Sequence, residues 1–181
     1  MAEHGVDDYG FAKRKAAERL GVGEHAVLPK NSEVEAALIE YQRLFAPDSH
    51  AHSLEHQRRA AVEAMRVLEP FEPRLVGAVL TGSATVHQEI LLHVFSDSAE
   101  AVSFLLMDAG IPYRIAERRV RMNSDRVVNY PAVAFTVDDF EVEATVFPKD
   151  GIRQAPLSPT DGRPMRRVDR LDLELLLASE S

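Results

Sequence analysis

The side chains in this chain best suited to chemistry lie between Thr81 and Glu143. Gly82-Ser83 follows the apolar run Leu75–Leu80 and Thr81. A glycine at such a turn has no Cβ to keep backbone N–H groups away from an anion; the alternative is an ordinary turn that ends a strand. His93 lies within the apolar segment ILLHVF, where it is either a ligand contact or a hydrogen-bonded core histidine. Glu141 and Glu143 alternate in FEVEATVF, where an alternating strand ordinarily places them on the solvated face. Arg119 and Arg121 project the same way from a strand, and a guanidinium can grip phosphate or carboxylate with two parallel hydrogen bonds. The stretch 113–126 holds five arginines against Glu117 and Asp125, so surface ion pairing is the competing explanation. His50, His52 and His56, beside Asp48 and Glu55, have ligand chemistry for zinc but no third ligand fixed by the fold. A polar helix start explains them better, and no metal is assigned.

Periodicity supplies the elements that must hold these residues. Phe11–Leu20 is expected to form a short basic helix ended by Gly21, and GVGEHAVLPKN reads as a linker. Residues 1–31 are therefore expected to be an N-terminal helix and linker, and 32–181 a single domain. Ser32 and Glu35 make a capping box for a helix that carries Val34, Leu38, Tyr41 and Phe45 on one stripe and stops at Pro47. A second helix is expected over 53–68. Leu75–Leu80 and Ile90–Phe95 read as buried strands, and Asp97 with Glu100 as the cap of a helix over 98–109 ended by Gly110. Strands over 113–122, 132–137 and 140–147 follow, with 123–129 a loop and Asp138-Asp139 a hairpin turn. The proline-rich segment 148–166 is expected to be a surface loop, and 169–178 a last helix. The fold class is α+β with a mixed sheet. The strands 90–95 and 113–122 should be parallel, joined right-handedly through the 98–109 helix; a ferredoxin-like β-α-β-β module is the fold alternative.

The order of an apolar strand, Gly82-Ser83, nine residues, a next strand carrying His93 and a later strand carrying Glu143 resembles the nucleotidyltransferase superfamily with a DNA polymerase β-like palm. The resemblance covers residues 75–147, within a core of about 70–150. It implies a mixed β-sheet with packed helices and a helical N-terminal extension, a phosphate held by the Gly-Ser turn, and three carboxylates holding two Mg²⁺ ions. The chain departs from that pattern where the Asp-x-Asp pair belongs, since His93 and Phe95 stand there. Magnesium prefers oxygen ligands, and phenylalanine offers none. The resemblance therefore implies a divergent, non-catalytic member, a pseudoenzyme, that binds a nucleotide or another phosphorylated ligand through Gly82, Ser83, His93, Arg119 and Arg121. An active transferase with rearranged ligands Glu141, Glu143 and Asp97, using Mg²⁺, is one alternative, and a protein–protein interaction module is another.

Composition narrows the classes. The chain has 181 residues, 45% hydrophobic and 28% charged, which suits a folded domain rather than a disordered one. It contains no cysteine, which excludes disulfides, thiolate metal sites and thiol catalysis. A net charge of −8 opposes broad attraction to nucleic acid or anionic membrane. No apolar run reaches the ~18 residues of a membrane span, and MAEHGVDDYGFAKRK lacks the apolar core of a secretion signal. A cytoplasmic protein is expected. No G-x-x-x-x-G-K-[ST] sequence occurs, so a P-loop NTPase is excluded.

Overall fold

A computed structural model describes residues 7–22, 27–45 and 47–180. Residues 1–6, and 23–26 of the expected linker, lie outside the described residues. The architecture is α+β: a five-stranded mixed sheet and six α-helices among the described residues. The helices are α1 (Asp7–Arg19), α2 (Asn31–Phe45), α3 (Pro47–Val67), the four-residue α4 (Ala78–Thr81), α5 (Ala99–Asp108) and α6 (Arg170–Glu180). The strands are β1 (Arg74–Val76), β2 (Ile90–Phe95), β3 (Tyr113–Arg121), β4 (Val127–Val137) and β5 (Phe140–Phe147), in the spatial order β1-β2-β5-β4-β3.

Only β2 and β5 are paired in parallel; β1–β2, β5–β4 and β4–β3 are antiparallel. It follows that β2 and β3 run in the same direction, as expected, but are not neighbours. The hairpin strand β5 inserts beside β2, and the α5 connection crosses over both β5 and β4. The hairpin turn itself falls at Asp138-Asp139, both with positive φ (47° and 68°), as a two-residue turn matched to strand twist requires.

Alternation divides the sheet into two faces. Leu75, Ile90, Leu92, Val94, Val133, Phe135, Val142, Ala144 and Val146 join one apolar cluster with Met65 and Leu68 of α3 and its flank, Val102 and Leu106 of α5, and Leu173 of α6. That face is covered by α3, α5 and α6. On the second face a smaller cluster, Phe95, Met122 and Phe147, is covered by Ile152 from the proline-rich strap after β5. The strap holds a 3-10 turn, Lys149–Arg153, and is otherwise irregular, as its four prolines suggest.

Several local expectations are corrected. The strand expected over 75–80 stops at Val76, because Gly77 takes φ +75° and α4 follows. Pro47 starts a helix instead of only stopping one; the first helical position tolerates proline because its N–H is unused anyway. Ser98 rather than Asp97 caps α5, accepting from the Ala101 amide, while Asp97 accepts from the Lys149 amide at 3.1 Å. At the head of α2, the Lys30 amide donates to Glu33, which leaves Glu35 for other work. The loop expected over 123–129 is shorter, since β4 begins at Val127. Pro131 lies within β4. Its pairing to β5 ends at Ala132, where the missing N–H would next be needed, while pairing to β3 continues to Val127.

Candidate functional site

The residues proposed from sequence fall into two places. Gly82 is the left-handed C-cap of α4 (φ +87°) and packs toward Leu54 and Arg58 of α3. Ser83 is buried, and its hydroxyl donates to Glu35 of α2 at 2.9 Å, as does that of Thr81 at 3.0 Å. The loop that follows is fastened to the helices by Gln57 and Gln42, which donate to the Thr85 and Ala84 carbonyls, and His50 contacts the Ala84 carbonyl at 3.1 Å. A carboxylate from α2 thus occupies the hydroxyls of the Gly-Ser turn, inside the helical layer.

His93, Glu143 and Glu141 belong to the other face of the sheet. Arg74, His93 and Thr145 stand side by side on β1, β2 and β5, and one step along Leu91 pairs with Glu143. Arg118, paired with Tyr130 on β4, reaches diagonally to Glu143 at 3.2 Å, across positions held by Ala132 and Ala134. Those small residues leave the arginine room to lie over the sheet. Arg114 makes the equivalent pair with Glu141 at the exposed end of the same strands. Arg119 and Arg121 do project the same way, but from the opposite side of β3 to Arg118. Tyr113 packs into the helical core, and parity carries Arg119 and Arg121 to that side of the strand.

Arg167, at the end of the strap, completes the group. Its Nε donates to His93 Nδ1 at 3.0 Å, and its Nη1 to the Gly151 carbonyl at 2.8 Å. The guanidinium lies 5.0 Å and 5.1 Å from the ring centroids of Phe95 and Phe147, a cation–π arrangement. Its Nη2 is buried with no acceptor among the described residues. Burial, with Arg74 nearby, lowers the Arg167 pKa to about 10. Burial and then the positive charges of Arg167 and Arg118 hold His93 well below its ordinary value. His93 is therefore neutral at pH 7, and the bond from Arg167 leaves its proton on Nε2.

Two arginines, Arg118 and Arg167, act on His93; Arg74, its register partner on β1, lies near Arg167 and donates to the Glu72 and Pro73 carbonyls, and the carboxylate among them, Glu143, is matched to Arg118. This arrangement can bind an anion. It does not gather carboxylates for a metal: Asp97 sits beyond Phe147, which is already four residues, or about 13 Å, along β5 from Glu143. Among the described residues no group of three acidic or histidine side chains converges. The His52 and His56 rings meet at a tilt of 51° with centroids 4.2 Å apart, and His50 turns to a carbonyl.

Sequence reasoning missed Arg74, Arg118 and Arg167. Arg118 was legible from parity, because assigning Tyr113 to the core sends even-numbered residues of β3 to the face of His93. Arg167 follows nineteen residues without periodicity and carried no such signal. No family model matches this chain, and neither does any curated protein.

Proposed function

We propose that the chain is a nucleotidyltransferase-like binding protein without standard nucleotidyl transfer, and that its arginine-lined face takes a nucleotide or another phosphorylated ligand. The observation that carries the reading is Arg167: a half-buried guanidinium facing rings, an imidazole and carbonyls, with no carboxylate partner and one buried N–H unused among the described residues. A phosphate oxygen offers both the acceptor and the countercharge. In a chain of net charge −8 the local cation excess is also the feature most able to select an anion. His93 and Glu143 on adjacent parallel strands support the palm-like reading, Gly82-Ser83 lies apart from them with its hydroxyl held by Glu35, and the dispersed acids argue against a two-metal reaction.

Equilibrium dialysis with ATP, CTP and UTP, with and without Mg²⁺, tests this. Binding that weakens with salt, and weakens about tenfold in Arg74→Gln from loss of one charge-assisted contact, is expected. Absence of binding at millimolar nucleotide ends the reading. A metal-dependent transfer lost in Glu143→Gln at unchanged stability would instead favour the active-transferase alternative. The protein–protein alternative is favoured by α2, which buries no residue and exposes Tyr41, Leu44 and Phe45.

A further inference from the structure

The two edges of the sheet are treated differently. At β1, the Leu75 amide and carbonyl both bond Val168, so that edge is closed by the chain itself. At β3 the corresponding contact is a single bond, from the Leu157 amide to the Arg121 carbonyl at 2.7 Å. It also reveals which backbone groups point outward. The N–H and C=O of one strand residue point to the same side. Arg121 turns outward to Leu157, whereas the Met122 amide turns back to the Arg126 carbonyl across the β3–β4 turn. Pro131, which pairs with Glu117, places that pair at a site without β3–β4 hydrogen bonds. The even-numbered residues of β3 therefore bond β4, and Tyr113, Ile115, Glu117 and Arg119 present their backbone outward. The strap touches the edge at Arg121 and turns away, leaving these four positions uncovered by any backbone bond among the described residues.

The side chains beside this open ladder have a definite character. Arg119 and Arg121 have no ion-pair partner among the described residues, and they share their side of β3 with Glu117 and with Ile115, which is 67% exposed, so that side keeps a net positive charge. From β3, we infer that the open edge is a docking strand for an extended acidic segment of a partner protein, added antiparallel or parallel as a sixth strand. A second copy of the chain fits badly: two of the four β3 arginines are already paired with Glu141 and Glu143. In-register parallel pairing would set Arg119, Arg121 and Glu117 each against its own copy, while antiparallel pairing centred on Glu117 would set the two glutamates face to face and leave both free arginines without a countercharge. The same charges that protect the edge from its own kind select a partner of opposite sign.

The test uses the full chain and two labelled nine-residue peptides, one alternating valine with glutamate and one alternating valine with lysine, in fluorescence anisotropy and amide hydrogen exchange. The acidic peptide is expected to bind, with affinity falling as salt rises, and to add protection at the Ile115, Glu117 and Arg119 amides. The even-numbered amides are already protected by β4. Glu117→Pro removes an outward N–H without touching the β4 ladder, and is expected to weaken binding at least tenfold at an unchanged melting temperature. Arg119→Glu with Arg121→Glu should do the same by charge alone. Equal binding of both peptides, protection elsewhere, no binding at millimolar peptide, or a dimer in sedimentation that buries β3 would each overturn the proposal. None of these results bears on nucleotide dialysis, which reads the opposite face of the sheet.

Discussion

On β2, Leu92 and Val94 join an apolar cluster with α3, α5 and α6, while His93 between them meets two arginines, a threonine and an aromatic ring. Both sides are buried, by different means. On the helix-covered face the exclusion of apolar surface from water suffices, and any well-shaped hydrocarbon would serve. On the second face, beside the small Phe95–Met122–Phe147 cluster, the polar groups are buried by being matched: Glu143 on Arg118, and Arg167 on His93 and the Gly151 and Ile152 carbonyls. One face therefore loses stability in proportion to volume removed, and the other loses it when a partner is lost.

Four substitutions break or sharpen that contrast. The largest effect is expected for Leu92→Ala, whose parent residue is fully buried; the cavity should cost about 3 kcal/mol in urea unfolding, with little dependence on pH. Next, Glu143→Leu should cost about 2 kcal/mol by leaving Arg118 covered and unmatched, while Arg118→Met with Glu143→Leu should recover most of the loss. If the double variant were no better than the single, the face would not be governed by pairing.

The third concerns pH. Because the folded state holds His93 well below its ordinary pKa, the unfolded chain binds a proton that the folded chain refuses as pH falls below about 6.5. Stability contributed by neutral His93 is thus present above that pH and lost on acidification, by up to about 1.4 kcal/mol per pH unit. His93→Asn, which can keep an acceptor for Arg167 but cannot titrate, should flatten that slope; an unchanged slope would place its origin elsewhere. The smallest effect is expected for Glu141→Gln. Its pair with Arg114 lies at the exposed end of the same two strands, and thermal unfolding should report a change within about 0.5 kcal/mol.

Much of the fold was legible because periodicity is a physical property of buried faces. Ile90–Phe95 and Phe140–Phe147 agree with expectation residue for residue, and α5 within one residue at each end. The strand expected over 75–80 was not legible as β1 plus α4, since a continuous apolar run fits a buried strand or a buried turn of helix equally well. Only the positive φ of Gly77 decides between them. Neighbourhood in the sheet was hidden for another reason: direction follows from a connecting helix, but the insertion of β5 beside β2 depends on competition among strands far apart in sequence. The candidate site was half visible. His93 and Glu143 share a face, Ser83 does not, and the arginines that give the face its charge came from parity on β3 and from an aperiodic strap.

The insertion of β5 also governs how the chain can assemble. Segments 74–95 and 113–137 have no strand contact with each other; β5 pairs with β2 on one side and β4 on the other. The β4–β5 hairpin can close early through its short turn, yet the two halves of the sheet remain separate until that hairpin docks against β2, some fifty residues upstream. Loop closure over that span must precede its reward, so this sheet is expected to fold more slowly than one built from neighbouring hairpins alone.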